Sequence, residues 1–225
     1  MVHTAVLDSH LLVLQLPFSI GSGFSLSMSI EEAFAHLPSF NTERLRLRPL
    51  KVSDVGEMFA IKSDPRVTEA YGTESHRSIE ETQKWVSGLL NASGQRDWLF
   101  WVLVPKGEER AIGSCCYWHF DLGSKCAELG YELHRSYWGK GIMTEALAPV
   151  LAYGLDGMRL NRVEACPLDE NAASKALLVK LGFKHEGSLR QRVFFRGRFV
   201  DQCYYSLLKS EWDGRTTGVA GPGAV

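Results

Sequence analysis

Several signatures are missing from this chain of 225 residues, and each absence removes a class of protein. No C-x-x-C pair occurs, and the five cysteines, Cys115, Cys116, Cys126, Cys166 and Cys203, offer no zinc-finger spacing. The seven histidines are scattered without ligand spacing, so no metal is expected. H-E-x-x-H and G-x-S-x-G are absent, which removes the zincin and α/β-hydrolase readings. Neither sign of charge is in excess: 25 Lys and Arg stand against 26 Asp and Glu, a net charge of −1. A dedicated nucleic-acid binder shows a basic surplus, so nucleic acid is not expected as the main partner. No apolar run approaches the roughly 20 residues that span a bilayer, so no membrane partner is expected either. The run LLVLQLPF at 11–18 has no Lys or Arg before it, unlike a secretory leader or a transit peptide. The cytoplasm is the expected compartment, with the cysteines as buried, reduced thiols.

What is present is ordinary globular usage, 45% hydrophobic and 23% charged, at a length that suits one sizeable domain. Residues 1–40 read as an N-terminal extension. Its short helix opens at Ser29-Ile30-Glu31-Glu32, a capping-box pattern, and ends by Pro38. The domain is expected over 41–212. The Gly-rich residues 213–225 cannot bury enough surface to order themselves and are expected to form a disordered tail.

Inside the domain, the alternating charge and Leu of 43–48 give the period of a half-buried strand, stopped at Pro49. Ser53-Asp54 can cap a helix to about Ala60, and Ser78 opens a longer one to about Leu90. Strands at 98–104, 111–119 and 126–133, joined by turn-forming residues, suggest an antiparallel meander. Apolar positions from Ile142 to Leu155 keep a 3.6 period, with Pro149 expected to kink that helix. A strand at 161–166 and a helix at 171–181 follow, the helix closed by Gly182 in a left-handed cap. Strands at 183–189 and 200–208 finish a mixed sheet flanked by helices.

The strongest chemical signal is the strand-to-helix junction from Glu128 to Leu147. A helix N-terminus offers unpaired N–H groups and the positive end of the helix dipole, a ready anion site. Gly139 and Gly141 would let a phosphate approach those amides, and Lys140 adds charge; a loop needing two glycines for its backbone is the simpler alternative. A P-loop run does not occur. A dinucleotide fingerprint would need a glycine where Thr144 stands and a βαβ start in place of the meander.

These residues resemble the GCN5-related N-acetyltransferases (GNAT), in particular the ribosomal-protein-alanine N-acetyltransferase branch. The resemblance runs from about Thr42 to Trp212. It rests on Thr42-Glu43-Arg44-Leu45-Arg46-Leu47-Arg48, Glu128-Leu129-Gly130-Tyr131, the segment 137–147, Asn171-Ala172-Ala173-Ser174, Lys180-Leu181-Gly182-Phe183 with Glu186-Gly187, and Asp201. It implies an α/β fold whose central, mostly antiparallel mixed sheet is flanked by helices and carries a strand–loop–helix acyl-CoA site. It also implies acetyl-CoA as co-substrate. The pantetheine arm would lie between Tyr131 to His134, with Leu133 and His134 as contacts, and Asn161 to Cys166. The pyrophosphate would lie on the amides of Trp138, Gly139, Lys140, Gly141 and Ile142, with Asn171 as a further CoA contact. The family's Gln or Arg three positions before the first glycine is here Ser136.

The resemblance further assigns Ser174 to the departing sulfur and Glu128 to the general base, acting directly or through water. A first-turn Ser bonding its own helix and an Asn capping that helix are the structural alternatives. Glu132 shares the strand face of Glu128 but lies about 13 Å from it at ~3.3 Å per residue, too far for a paired-carboxylate site. A backbone N–H near Leu133 would meet the oxyanion. The expected activity is direct acetyl transfer to a primary amine, with a protein or peptide N-terminal α-amine first. An α-amine titrates at about 7.7–8.0 against about 10.4 for Lys and asks less of its base. Small amines (a polyamine, an aminoglycoside or an amino-acid derivative) come second. A non-catalytic acyl-CoA-binding module is the rival from another class. Tyr71, Trp85 and Trp118 are candidates for the acceptor wall. The basic residues Lys180, Lys184, Arg190, Arg192, Arg196 and Arg198 read as a solvated face, or as a contact for the CoA 3′-phosphate or an RNA-rich substrate. Oligomeric state is not readable.

Overall fold

Alternation of Leu and Arg at 45–48 does what its period predicts. Leu45 and Leu47 are fully buried and the strand they form lies near one edge of a single eight-stranded sheet. The computed structural model describes residues 30–94 and 97–212. In chain order the elements are α1 (Ile30–Ala35), β1 (Phe40–Asn41), β2 (Leu45–Pro49), α2 (Val55–Lys62), α3 (Pro65–Thr68), α4 (Ile79–Gly94), β3 (Leu99–Pro105), β4 (Gly113–Asp121) and β5 (Cys126–Leu133). Then come α5 (Ile142–Ala152), β6 (Arg162–Ala165), α6 (Ala172–Lys180), β7 (Lys184–Phe195) and β8 (Arg198–Leu208). Strand order is β1-β2-β3-β4-β5-β6-β8-β7, and β5 with β6 is the parallel pair in an otherwise antiparallel sheet.

Successive strand residues point to opposite faces, and both faces are covered. Cys115 joins Leu45, Trp101, Tyr117, Leu129, Leu147 and Leu151 in one core, whereas its neighbour Cys116 joins Met58, Ile61, Val86 and Val102 in the other. Burial raises both thiols, Cys116 to about 12, which keeps them protonated and inert. On β5 the same alternation sends the side chains of Leu129, Tyr131 and Leu133 to the first core. It leaves Glu128, Gly130 and Glu132 facing the side covered by α2 and α4.

The structure departs from the sequence reading in five places. Pro49 is the last residue of β2, paired with Trp101, because its missing N–H costs little at a strand end. Asp54 does not cap α2, since its carboxylate is taken by the Arg48 guanidinium (2.7 and 2.8 Å) and the Lys51 N–H. The helical run expected to Leu155 ends as α5 at Ala152, with Pro149 inside it, and passes into a π-helical turn over Tyr153–Gly157. Strands β7 and β8 run on past 189 and begin before 200. Arg196 and Gly197 both have positive φ (48° and 76°), the signature of a two-residue hairpin turn, so the expected loop is a strand pair. A short helix at Pro65–Thr68, capped by Asp64 and started by Pro65, was not expected as an element. The cap at Gly182 is as expected, with φ 92° and the Phe183 N–H reaching the Leu178 carbonyl at 3.0 Å. Helix α1 is present, but its proposed cap Ser29 and the expected tail at 213–225 lie outside the described residues.

Candidate active site

The parallel pair is short. β5 and β6 pair through Cys126↔Arg162, Ala127↔Val163 and Glu128↔Glu164, and then part. β5 continues to Leu133 bonded to β4, whereas the chain after β6 follows β8: the Cys166 carbonyl accepts from Gln202 and the Pro167 carbonyl from the Cys203 N–H. A wedge therefore opens between them with Glu128 at its apex. The His134 N–H bonds to the carbonyl of Ile112, the residue just before β4, at 2.8 Å, so alternation turns the amides of Tyr131 and Leu133 the other way, into the wedge. The Leu133 carbonyl on that edge accepts from the Trp138 indole N–H at 2.8 Å.

At the wide end of the wedge stands the glycine loop. Gly139 and Gly141 both have φ of 71°, a left-handed conformation that L side chains resist. A Cβ at Gly139 would meet nothing within 4 Å, so that glycine serves its backbone shape and the open space in front of it. The N–H groups of Gly139, Lys140 and Gly141 have no protein acceptor among the described residues. Those of Ile142 and the next residues open α5, where no intrahelical partner exists. A row of free amides at a helix N-terminus, beside an unobstructed surface, fits a pyrophosphate. The loop is braced from behind: Arg44 donates to the Lys140 carbonyl (3.0 Å) and to Glu145 in the first turn of α5 (2.6 Å). Lys140 lies over the Tyr137 ring, and His134 Nδ1 accepts from the Ser136 N–H.

The two proposed catalytic side chains lie on opposite faces of the sheet near the wedge. Glu128 is 21% exposed, and its Oε2 lies 3.0 Å from His119 Nδ1. Burial lifts its carboxyl above the usual range, and His119 pulls in the other direction. Ser174, in the first turn of α6, makes its hydroxyl bond with the Tyr131 phenol at 2.6 Å and not with its own helix. Burial pushes that phenol up to about 12, against the pull of the Ser174 bond. Asn171 is the cap of α6: its Oδ1 accepts from the Ser174 N–H, and its Nδ2 donates to the Ala70 carbonyl. Both ends of that amide are thus used structurally.

Glu132 is held differently. Its oxygens accept from Ser114 (3.0 Å), Tyr71 (2.9 Å) and Lys62 (2.9 Å), and the Lys62 ammonium lies 4.4 Å from the Trp85 ring. Tyr71 and Trp85 therefore surround a lysine of the chain itself. Trp118 stacks between Trp98 and His119. The segment 69–74 crosses beside the wedge, tied to the β7–β8 turn by Arg196 with Glu69 and Glu74, while Arg198 holds Glu170. Lys184 pairs with Glu211, so four of the expected basic face's cations do not act alike: three are neutralised within the fold, and Lys180 ends α6. Sequence reasoning missed Arg44 as a brace, Tyr131 as the partner of Ser174, and His119. Arg44 stood in a quoted motif without a role, and nothing in the sequence around His119 marks it. Among the described residues no group of three or more His, Cys, Asp or Glu could hold a metal ion, and no helix is long and apolar enough to cross a membrane.

Comparison with known proteins agrees with this geometry. A family model described as an acetyltransferase (GNAT) domain matches residues 44–184. The uncharacterized N-acetyltransferase p20 of Bacillus licheniformis is 35% identical over 77% of this chain and 97% of its own length. The [ribosomal protein uS5]-alanine N-acetyltransferase of Escherichia coli is 28% identical over 56% of this chain and 66% of its own. Among solved structures, Mycobacterium smegmatis RimJ in complex with CoA-disulfide superposes with a TM-score of 0.72 at 22% identity, over 80% of this chain and 90% of that one.

Proposed function

The chain belongs to the GNAT acetyltransferase family and is an acetyl-CoA-dependent N-acyltransferase; from that premise we propose that its acceptor is the α-amino group of a protein or peptide N-terminus. The observation that carries the reading is the wedge between β5 and β6, with free amides along its edge and at its mouth and, at its apex, the Glu128 carboxylate, which unlike the facing Glu164 has no arginine partner. In this reading the amides at 139–142 hold the pyrophosphate of acetyl-CoA, and the edge of Tyr131 and Leu133 holds the pantetheine arm. One of those two N–H groups meets the oxyanion as the amine attacks. Glu128 takes the proton from the ammonium, and the Ser174–Tyr131 hydroxyl pair donates to the departing thiolate.

A single-charge acceptor is favoured by how the neighbouring carboxylates are spent. Glu69 and Glu74 face Arg196, Glu170 faces Arg198, Glu132 faces Lys62 and Glu164 faces Arg162. A polyamine needs several unpaired carboxylates, whereas Glu128 is the one here whose partner is not a permanent cation. An α-amine, titrating at about 7.7–8.0, also suits a lone carboxylate base. The E. coli relative is named as an N-acetyltransferase of an alanine of ribosomal protein uS5.

The test joins calorimetric titration with acetyl-CoA to a thiol-release assay on peptides beginning with Ala, Ser or Met. N-acetylated copies of the peptides and spermidine serve as comparisons. Saturable release with free N-termini and none with blocked ones is the expected result. A preference for spermidine would move the protein to the small-amine reading. Tight binding with no release on any amine would make it a CoA-binding module.

A further inference from the structure

We propose that His119 is the proton outlet of this site, taking from Glu128 the proton that the acceptor ammonium loses and passing it to water. The inference rests on the acetyl-transfer reading above and adds a residue to it. Its basis is a break in the β4–β5 ladder. Pairing is regular as far as Trp118↔Glu128, then slips before Asp121↔Cys126, so β4 carries an extra residue there. His119 takes a left-handed φ of 47°. The bulge inverts the alternation: Phe120 now packs against Tyr117 and Phe34 on the α5 side, and His119 turns to the side of Glu128. Without the extra residue, position 119 would face away from that carboxylate.

The imidazole is held where a relay needs it. It stacks on Trp118 at 3.6 Å between centroids, with Trp98 on the far face of the same indole. Its Nδ1 is 3.0 Å from Glu128 Oε2, and the side chain is 64% exposed while that of Glu128 is 21% exposed. One ring thus touches the sheltered base and the solvent. The other titratable groups around Glu128 offer no such path. Glu164, opposite it on β6, is bonded to Arg162 at 2.6 Å. Cys116, behind Gly130, and Cys166, past the end of β6, are thiols pushed up to about 12 by burial, and Cys126 on the same strand is pushed up to about 11.

The proton balance is simple. The ammonium gives one proton to the Glu128 carboxylate, directly or through water, and its freed lone pair forms the new C–N bond. As the C–S bond breaks, the attached nitrogen loses its second proton and the sulfur gains one through the Ser174–Tyr131 pair, which water reprotonates. The products are a neutral amide and a neutral thiol, and the net proton is the one on Glu128. The Glu128 acid passes that proton to His119 Nδ1. The imidazolium releases a proton from Nε2 to water, and exchange with solvent restores the starting tautomer. Because burial favours the protonated carboxyl, an exit for the proton resets the base for the next turnover.

The test uses His119→Gly, which accepts the positive φ and opens space at the ring's position, and His119→Asn, which tolerates the same backbone. Thiol release is followed at low buffer concentration with an alanyl peptide, glycinamide and spermidine. We expect kcat to fall about ten-fold, with KM for acetyl-CoA unchanged, and added imidazole to restore the His119→Gly rate. The acid limb of kcat/KM should move to higher pH in both variants, because His119 no longer draws the Glu128 carboxyl down. Wild-type rates and pH profile in both variants, or a loss that imidazole does not repair, would overturn the relay. A wild type active on spermidine but not on the peptide would overturn the acceptor reading while the relay is measured on spermidine. A wild type inactive on all three amines would overturn both.

Discussion

Arg44, just before β2, and Glu145, in the first turn of α5, are joined at 2.6 Å across the back of the glycine loop. The same guanidinium bonds the Lys140 carbonyl at 3.0 Å, and Glu145 also accepts from the Thr42 hydroxyl at 2.5 Å and the Arg44 N–H at 2.7 Å. A charged strut therefore braces the glycine loop from behind, opposite the Trp138 indole that ties its start to the Leu133 carbonyl. Arg44→Ala should weaken acetyl-CoA binding by about two- to five-fold, the scale of a partly exposed ion pair, without unfolding the protein. Calorimetric titration reads it, and an unchanged affinity would mean that the loop keeps its shape unaided. The pH dependence has a definite sign. Burial alone would raise the Glu145 carboxyl, but the bonds from Thr42 and Arg44 win and hold it below the usual range. The strut is thus intact above about pH 4.3, the ordinary Glu value, and is lost as pH falls through the lower folded value.

Gly141 closes the loop as the N-cap residue of α5 with φ 71° and ψ 5°. An Ala there would cost about 1 kcal/mol of backbone strain even though its Cβ, 3.7 Å from the nearest Arg44 nitrogen, has room. At Gly139 the built Cβ meets no atom, so the effect of a side chain falls on the bound phosphate. Gly139→Glu should abolish acetyl-CoA binding while leaving the melting temperature close to that of Gly139→Ala. A variant that still binds would place the pyrophosphate elsewhere.

The loop was readable because glycines, a strand and an amphipathic helix all announced themselves locally. The order of elements was readable for the same reason, from the Leu–Arg alternation of β2 to the Gly182 cap. What escaped were contacts made by long closures. Thr42 and Arg44 meet Glu145 from about a hundred positions away, and Tyr131 meets Ser174 from 43. No local period encodes such pairs. Asp54 looked like a cap because Ser-Asp before an apolar stretch usually is one; a buried Arg48 six residues earlier outcompeted the helix for it. His119 depends on a bulge, and a one-residue slip in a strand leaves no mark in composition.

The Arg48–Asp54 pair carries a stability prediction. Both side chains are buried, the bonds are bidentate, and the Lys51 N–H adds a third to Asp54 Oδ2 at 2.8 Å. Hydrogen bonding to Asp54 is the main reason the Arg48 guanidinium is held above its ordinary value. Arg48→Met would leave the carboxylate buried and unpaired, at a cost of about 3–5 kcal/mol. Arg48→Met with Asp54→Asn should recover part of that loss, since no charge is then stranded. Urea unfolding midpoints decide it. Equal destabilisation by the single and double variants would show that packing, not charge, holds this corner.

Ser174 and Tyr131 share a 2.6 Å hydrogen bond, and burial pushes the phenol up to about 12, so Tyr131 keeps its proton across the working range. Ser174→Ala should spare the fold, because the first turn of α6 is capped through the Ser174 N–H and Asn171, not through the hydroxyl. If the pair protonates the leaving group, Ser174→Ala and Tyr131→Phe should each lower kcat by about 10- to 100-fold. The double variant should cost little more than either, as members of one unit do. The penalty should shrink with an acetyl donor whose thiol is more acidic, because a weaker base leaves without a proton. Full additivity, or a penalty indifferent to the thiol, would assign the pair to positioning Tyr131 along the wedge and leave the thiolate to water.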